Sequence, residues 1–540
     1  MARIAIAIPA TAWKNSMNKL LTDPVFRVET PEGMARLNLP ALLAALGADR
    51  VDSLPGLQRH QEDAFHIFLC YLAGAVLARA GRDDPDQEEA FWREGLLGLA
   101  EGNEIAWTLV VDDPTQPAFM QAPVSSAARF EKEFTKIQRT PDSLDLLLTN
   151  KNHDLKMSRA VNADADIWVY TLINLQTMSG YIIHHQGIAR MNSGFGNRPR
   201  ISLIQGDRLG SQWKIELTKL MAIREDLLHS DWKYKSDGIV LTWLPTWDRD
   251  KSLSLSALDP FFIEISRGVR MVMLQQKRAA LTSIEKAPRI DAKAQNGVLG
   301  DPWTPLNTGD KKKGLSSLTV SSDGFTPRLL RDFVFGDGVF LLQAMQRSSR
   351  GFENQAFTLK TSVLVRGQGT TDGFRHAQVP IPGRVSGVLF HPNPQRDRLS
   401  GRSQEFLTRA SEIQERVLKK ALYSLLDGGP TRINEKKREI SEWVKKTMIR
   451  YSEAWARDFF PRLWESLDQD DETARQAWLE HLSGLAWTVL QDAIDRLPLR
   501  TGRGYRSRVR AEGTFYGCLY QLFPSLKKET AHDDQLHSSA

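Results

Sequence analysis

A nine-residue loop, Met191-Asn-Ser-Gly-Phe-Gly-Asn-Arg-Pro199, concentrates glycine, asparagine, aromatic and arginine residues after a segment with helical periodicity. Glycine lets a backbone approach a ligand closely, while Asn and Arg supply directional hydrogen-bond donors. Such a loop suits a polar base edge or a phosphate, although the same composition is also typical of a tight turn. It is not a dinucleotide-binding fingerprint, because the third spaced glycine is missing and the loop follows a helix instead of a strand.

Two further loops carry residue types that reach bases and phosphates in nucleic-acid complexes. Asn150-Lys-Asn-His153 is a polar loop next to an apolar run, and Asp310-Lys-Lys-Lys-Gly314 places three cations on a turn. Both patterns are equally typical of loops that are simply solvated.

A cluster of arginines between residues 496 and 510 is the strongest basic feature of the chain. These fifteen residues include no acidic residue and contain Arg496, Arg500, Arg503, Arg506, Arg508 and Arg510. Clustered cations without acids neutralise phosphates, so the segment favours a polyanion as its partner.

Motifs of catalysis are missing from the sequence. It contains no GxxxxGK[ST], no HExxH and no GxSxG. Pro141-Asp142 resembles the start of a nuclease motif, but no Glu-x-Lys follows on a convincing strand. We therefore expect a protein that is not an enzyme and has no catalytic residues and no cofactor.

Metal sites are not expected either. His184 and His185 are adjacent, so their side chains point to different sides of a helix or strand. Cys70 and Cys518 are the only cysteines, which rules out a cysteine-based metal site and favours a reducing, cytoplasmic setting. An acidic cluster lacks the glycine and distal Glu of a calcium loop and is best explained as a helix start. Its members are Asp468, Asp470, Asp471 and Glu472.

The elements that position these loops are predicted from hydrophobic periodicity. The 540 residues are 41% hydrophobic and carry a net charge of only +6, so the chain has real cores and its basic character is local. Helices are predicted at residues 57–80, 86–101, 163–181 and 211–229, and strands at 105–111, 201–205, 239–244, 316–320 and 361–366. Residues 64–78 are apolar but too short to span a bilayer, so we expect a buried core helix and no membrane partner.

The C-terminal part has a different pattern, with helices predicted at residues 403–426, 434–466, 470–495 and 510–523. Consecutive helices with short connections are typical of an antiparallel bundle. The predicted fold class is α+β, a large mixed α/β N-terminal domain followed by a C-terminal four-helix bundle. The expected divisions are a disordered extension at 1–16, the mixed domain at 17–395, the bundle at 396–526 and a disordered tail at 527–540.

The order and spacing of several short motifs resemble the large subunit of type I-E CRISPR Cascade, the CasA family, over nearly the whole chain from Met17. The matching segments, besides the predicted bundle, are Met17–Val28, Pro117–Gln121, the Asn150 loop, Gly194–Gly196 and Asp301–Pro305 with its continuation to Lys313. The resemblance implies a non-catalytic subunit, present once per complex, that reads the protospacer-adjacent motif of foreign double-stranded DNA. It also implies help in duplex opening and R-loop formation, and recruitment of a helicase-nuclease. The implied partners are the other Cascade subunits with their crRNA.

The resemblance also implies roles for particular residues. Asn150, Lys151, Asn152 and His153 correspond to a loop that docks on the crRNA-bearing complex. The segment Gly194, Phe195, Gly196, Asn197 and Arg198 corresponds to a glycine loop in the minor groove. One of Lys311, Lys312 and Lys313 corresponds to a lysine finger. The strand-separating wedge falls in the turn Arg366–Gly373, at Gln368 or at Thr370 and Thr371. Asn197 stands where the family pattern has another glycine.

Two other functions remain open from the sequence. One is a stand-alone nuclease or other nucleic-acid-processing enzyme. The other is a helical scaffold whose basic helix binds an acidic protein. If the protein is instead the CRISPR subunit that the resemblance implies, the basic segment at residues 496–510 is expected to hold DNA strands through Arg503, Arg506 and Arg508 without reading bases.

Overall fold

The chain folds as two compact units. The computed structural model describes residues 18–145, 163–178, 197–206, 208–283, 287–308, 314–336, 340–348, 354–366, 371–427, 438–497 and 502–527. Unit 1 comprises Met1–Phe325, Gly336–Phe352 and Phe357–Pro380, and unit 2 comprises Thr326–Phe335, Glu353–Ala356 and Ile381–Ala540. Unit 1 mixes helices with small sheets and unit 2 is mainly helical, which confirms the predicted α+β class. The predicted extension at 1–16 and residues 528–540 of the predicted tail lie outside the described residues.

The helices are α1 Leu39–Gly47, α2 Glu62–Ala80, α3 Glu89–Leu99, α4 Ala127–Glu133, α5 Pro141–Leu144, α6 Ala165–Thr177, α7 Leu209–Ala222, α8 Arg224–Leu228, α9 Pro327–Phe335, α10 Gly383–Leu389, α11 Pro394–Glu412, α12 Lys419–Asp427, α13 Arg438–Glu465, α14 Asp471–Asp495 and α15 Gly502–Leu522. A π-helical segment, Ile413–Leu418, joins α11 to α12.

The strands are β1 Phe26–Thr30, β2 Gly33–Leu37, β3 Lys136–Gln138, β4 Arg200–Ile204, β5 Ile239–Leu241, β6 Leu258–Ile263, β7 Val269–Leu274, β8 Lys277–Thr282, β9 Leu306–Asn307, β10 Ser316–Ser317, β11 Phe340–Leu341, β12 Phe357–Arg366 and β13 Thr371–Ile381. They form sheets in the orders β1-β2, β3-β8-β7, β5-β6, β10-β9-β11 and β13-β12-β4.

Helix α2 lies at the centre of the unit 1 core. Every residue from Asp63 to Leu77 is buried, because the helix is apolar on all sides. It is the one described helix long and apolar enough to cross a membrane, but 83% of that stretch is buried inside the protein. The expected core helix is therefore confirmed.

The four predicted helical segments of unit 2 are confirmed, with earlier starts for the first and last. Helix α11 begins at Pro394 because the Asn393 side chain accepts a hydrogen bond from the Arg396 N–H, a regular N-cap. The acidic cluster does start a helix, since Asp470 caps α14 through the Thr473 N–H at 2.9 Å. Phe406 stacks on Trp478 at 4.8 Å in the core between α11 and α14.

Unit 2 also takes in α9, which lies about sixty residues before α11 in the chain. The Arg331 guanidinium donates to the Ser403 hydroxyl at 2.8 Å and to the Ser400 hydroxyl at 2.7 Å. This division differs from a single boundary near residue 395, because the periodicity of a short amphipathic helix does not reveal which core covers it.

The strand predicted at residues 105–111 is wrong. Glu104–Trp107 is a 3-10 helix, capped by the Asn103 side chain, which accepts from the Ile105 N–H at 3.1 Å. Burial of Trp107 explains the apolar pattern, since a short buried run does not distinguish strand from helix.

Candidate nucleic-acid interface

One sheet holds two of the predicted DNA-contacting segments at the same end. Strand β4 follows the glycine loop, and β12 precedes the turn that contains the predicted wedge. The two strands are antiparallel, with Arg200 opposite Ser362 and Ile204 opposite Thr358. Chain preceding β4 and chain following β12 therefore emerge at one end of the sheet. Gly194, Phe195 and Gly196, and also Gln368 and Thr370, lie outside the described residues, while Thr371 is the first residue of β13.

The end of the glycine loop is hydrogen-bonded to the segment that leads to the lysines. The Ile201 N–H donates to the Trp303 carbonyl at 3.0 Å, and the Thr304 hydroxyl donates to the Pro199 carbonyl at 3.0 Å. The Val320 N–H donates to the Asn197 carbonyl at 2.9 Å. Residues 197–201 therefore share hydrogen bonds with both sides of the lysine segment.

The lysine segment is the connection of a short hairpin. In β9 and β10, Asn307 lies opposite Ser316 and Leu306 opposite Ser317. Lys311, Lys312 and Lys313 fall in the connection and lie outside the described residues. The base of this hairpin is tied down by Ser317, whose hydroxyl donates to the Gly297 carbonyl at 2.6 Å.

A buried ion pair joins Arg198, at the end of the glycine loop, to Asp301, in the segment that leads to the lysines. One guanidinium nitrogen of Arg198, Nη2, lies 3.3 Å from Asp301 Oδ2 and 3.0 Å from the Gly297 carbonyl, which it donates to. The side chains of Arg198 and Asp301 are 0% and 2% exposed. Asp301 also accepts from the Trp303 N–H at 3.0 Å and the Thr304 hydroxyl at 3.1 Å. This placement favours a structural role for Arg198 over the direct DNA contact predicted from the sequence.

Asn197 has a left-handed backbone, with φ at +69°. Among residues with a side chain, Asn adopts this conformation most readily. The backbone therefore explains why Asn can stand at a position where the family resemblance expects glycine.

A second buried charge network lies next to this pair. Arg200 donates to Glu216 Oε1 at 2.9 Å and to Asp63 Oδ1 at 3.3 Å. The other oxygen of Glu216, Oε2, lies 2.7 Å from His66 Nε2 and 2.6 Å from Trp303 Nε1, which donates to it. Strand β4 and the Trp303 segment are thus attached through one carboxylate to the core helices α2 and α7.

The network sets the protonation of its members. Burial alone would raise the pKa of Glu216, but the charge of Arg200 and the contact with His66 hold that pKa well below its usual value. Burial, together with the charge of Arg200, lowers the pKa of His66, so its imidazole is neutral at neutral pH.

His66, Cys70 and Glu216 also have the residue types of a metal site, with donor atoms within 4.8 Å of one another. Both oxygens of Glu216 are already engaged by Arg200, His66 and Trp303. Burial also raises the pKa of the Cys70 thiol well above its usual value, which keeps it protonated. The donor set therefore fits a hydrogen-bonded core network better than a cation.

The predicted docking residues Asn150, Lys151, Asn152 and His153 lie outside the described residues, but the chain before and after them is anchored. Before the loop, buried Asp145 accepts from Asn174 Nδ2 at 2.9 Å and lies 2.9 Å from His60 Nε2. After the loop, Arg27 donates to Asp166 Oδ2 at 2.7 Å.

The arginine-rich segment is helical for most of its length. Arg503, Arg506, Arg508 and Arg510 lie in α15, which begins at Gly502, where the sequence predicted a connection up to residue 510. Arg506 is exposed, and Arg508 donates to Glu512 at 2.9 Å. Tyr505, next to them, is 73% exposed.

Sequence reasoning missed Glu216, Asp301 and Gly297 as the residues that hold this region together. The available signals were ionisable residues within apolar segments, at Asp63, His66 and Glu216, since such residues are buried only when paired.

Comparison with known proteins identifies the fold. No protein-family model matches the chain, and no curated protein matches its sequence. Among solved structures, CasA (Cse1) of Thermus thermophilus is similar with a TM-score of 0.62 at 14% identity, covering 94% of this chain and 99% of that one. CRISPR-associated protein Cse1 from Acidimicrobium ferrooxidans has a TM-score of 0.59 at 14% identity, with 94% and 98% covered. Thermobifida fusca Cse1 has a TM-score of 0.58 at 14% identity, with 94% and 98% covered. Over nearly its whole length, the chain therefore has the fold of the CasA (Cse1) CRISPR-associated proteins.

Proposed function

We propose that this protein is the large, non-catalytic subunit of a type I-E CRISPR surveillance complex. In this role it joins the other Cascade subunits and their crRNA in the cytoplasm, one copy per complex. It reads the protospacer-adjacent motif of foreign double-stranded DNA, promotes duplex opening and R-loop formation, and helps to recruit the helicase-nuclease. The shared fold and the matching segments of the sequence support this proposal.

The observation that supports the proposal is that the described residues next to three predicted contact segments are bonded to one another. The glycine loop, the lysine hairpin and the predicted wedge turn come from distant parts of the chain, yet residues 197–201 bond to Trp303 and Val320 and pair with β12. A minor groove is about 6 Å wide, so it admits a glycine backbone, which has no side chain, and one extended lysine side chain. A neighbouring turn can then separate the strands.

The minor groove also explains how one site could accept several motifs. Its pattern of donors and acceptors distinguishes A·T from G·C but is otherwise degenerate. Readout by Gly194–Asn197 and one of Lys311, Lys312 and Lys313 would therefore give a relaxed preference and not a single sequence.

The test is binding by the assembled complex, with and without this subunit. The probes are duplexes that contain a segment matching the guide, flanked by randomised base pairs. We expect the complete complex to enrich a subset of flanks and to open the duplex, measured by permanganate reactivity of unpaired thymines. Equal binding of all flanks by the complete complex would contradict the proposal.

A second measurement addresses the enzyme alternative. The purified protein is incubated with single-stranded and double-stranded DNA and RNA in the presence of Mg²⁺ or Mn²⁺. We expect no cleavage above buffer, whereas metal-dependent cleavage that copurifies with the protein would favour the stand-alone nuclease.

A further inference from the structure

We propose that Arg198 and Asp301 form a positioning pair. The pair fixes the spacing between Arg198, where the chain leaves the glycine loop, and the chain on both sides of the lysines, and so determines which motifs are accepted. This inference rests on the proposed function. In this inference Arg198 positions the residues that contact DNA, whereas the sequence suggested that Arg198 contacts DNA itself.

The first argument is burial. The guanidinium of Arg198 is 0% exposed and its partner carboxylate is 2% exposed, so neither group can meet a phosphate. The charges of the pair also offset each other, which leaves no field to attract DNA. An effect of this pair on recognition must therefore act through the chain that it holds.

The second argument is connectivity. Arg198 lies two residues after Gly196, and Asp301 lies in the segment that leads to the lysines. The guanidinium bridges Asp301 and the Gly297 carbonyl, and the same carbonyl accepts from the Ser317 hydroxyl on the far side of the lysine hairpin. A single side chain thus links the glycine loop to both sides of the hairpin.

The third argument is the tightness of the joint. Gly297 has φ at +78°, and a Cβ added there would lie 2.7 Å from Ser317 Oγ and 3.4 Å from Arg198 Nη1. Close packing of this kind holds Arg198 and the chain at Gly297 and Ser317 in one relative position, since closely packed side chains do not shift gradually. Two contacts to the same groove require such a fixed separation, because a misplacement of about 1 Å weakens hydrogen bonds at both.

Two variants separate positioning from simple stability. R198K keeps the charge, but the lysine ammonium ends one bond short of Nη2, the nitrogen that contacts both Asp301 and the Gly297 carbonyl. R198M combined with D301N removes both charges, so that no unpaired charge is left buried.

The chain offers a closely matched control. Arg224 pairs with Asp259 at 2.7 Å, donates to the Ser236 carbonyl at 3.3 Å, and Asp259 accepts from the Phe261 N–H at 2.8 Å. This pair also joins a buried Arg to a buried Asp and to a backbone carbonyl, but its ion pair is bidentate and it belongs to α8 and β6. The control variants are R224K and R224M combined with D259N.

The experiment measures the affinity of each assembled complex for the randomised-flank duplexes, with thermal stability in parallel. We expect R198K and the R198M/D301N variant to narrow the ratio between best and worst flanks about tenfold, comparable to the removal of one hydrogen-bonded base readout. The control variants should lower thermal stability by a similar amount and keep the ratio. An unchanged ratio in both Arg198 variants, while the wild type discriminates flanks, would overturn the inference and leave the proposed function intact. A wild-type complex that does not discriminate flanks would overturn the proposed function and the inference with it.

Discussion

Arg198 and Arg200 are one residue apart, and both guanidinium groups are turned into the protein to meet carboxylates. The arginines nearest the candidate interface therefore bind carboxylates within the protein, and under the proposed function we expect the cations that contact DNA to come from other residues. Among the residues predicted from the sequence, the three lysines of the β9–β10 connection are the next candidates for contact with DNA. Buried charges of this kind are costly to leave unpaired, which is why single substitutions there would report on the fold as well as on binding.

The lysines give the first prediction. Replacing Lys311, Lys312 and Lys313 by Ala should cost about 1–3 kcal/mol for motif-bearing targets if one of them contacts a base. The measurement compares binding of motif and non-motif duplexes by the assembled complex. A uniform loss on both kinds of DNA would show phosphate contacts only.

His66 gives a prediction for stability against pH. Its pKa is lowered in the folded protein by burial and by Arg200, so the unfolded chain binds this proton first, below about pH 6.5. The free energy of unfolding should therefore fall as the pH drops below that value, by at most about 1.4 kcal/mol per pH unit for one group. H66Q keeps a donor for Glu216 and should remove this part of the slope.

The measurement is chemical denaturation followed by tryptophan fluorescence between about pH 7.5 and 5.5, a window that brackets the unfolded pKa of histidine. H229Q is the control, because His229 is exposed. Identical slopes for wild type and H66Q would refute a neutral, buried His66.

Two elements divide the candidate recognition tasks. The sheet β13-β12-β4 joins two distant regions of unit 1, because β4, which follows the glycine loop, pairs with β12, which precedes the predicted wedge turn. Helix α15 carries Arg506 and Arg510 four residues apart, a spacing that places them on one side of a regular helix. The arginine-rich segment at residues 496–510 contains no Asn or Gln, the residue types that read adenine, so it suits strand holding.

The prediction for α15 concerns salt dependence. Replacing Arg503, Arg506 and Arg508 by Ala should weaken target binding by the complex without changing the ranking of motifs. The slope of log affinity against log salt should become shallower by about 0.7–0.9 for each phosphate that the variant no longer neutralises. R438A is the control, since Arg438 on α13 is 90% exposed and pairs with Glu442 as Arg508 pairs with Glu512. A changed ranking would mean that α15 touches bases, and an unchanged slope would mean that its arginines are structural.

At the scale of the whole molecule, the sequence predicted those elements whose apolar residues recur with a regular period. The core helix α2, the four long helical segments of unit 2 and β4 followed from apolar spacing, whereas the short helices α9 and α10 of unit 2 were not predicted. Strand β6 was not predicted because all six of its residues are buried, so that it lacks alternation, and the hairpins β1–β2 and β7–β8 were also missed. The Arg198–Asp301 pair could not be predicted, since its partners are 103 residues apart and only the fold brings them together.

The N-terminal segment gives the last prediction. Residues 1–16 precede the segments that resemble the family, and they are too short to form a core of their own. A chain that starts at Met17 should therefore support DNA binding by the complex as well as the full chain does. The comparison is made at equal complex concentration on motif-bearing duplexes. A large loss of affinity would show that the extension is part of the binding surface.

The path of the chain between units has a consequence for synthesis. The chain passes between the two units five times, and α9 is made before the α11 residues that receive Arg331. As the polypeptide leaves the ribosome, the apolar face of α9 stays uncovered until α11 has been made. When α9 emerges, β12 and β13 of unit 1 have not yet been made. Unit 1 is complete only when residue 380 has been made, and α9 has no partner until α11 follows. A nascent chain that stalls between residues 336 and 394 would therefore leave apolar surface open to chaperones.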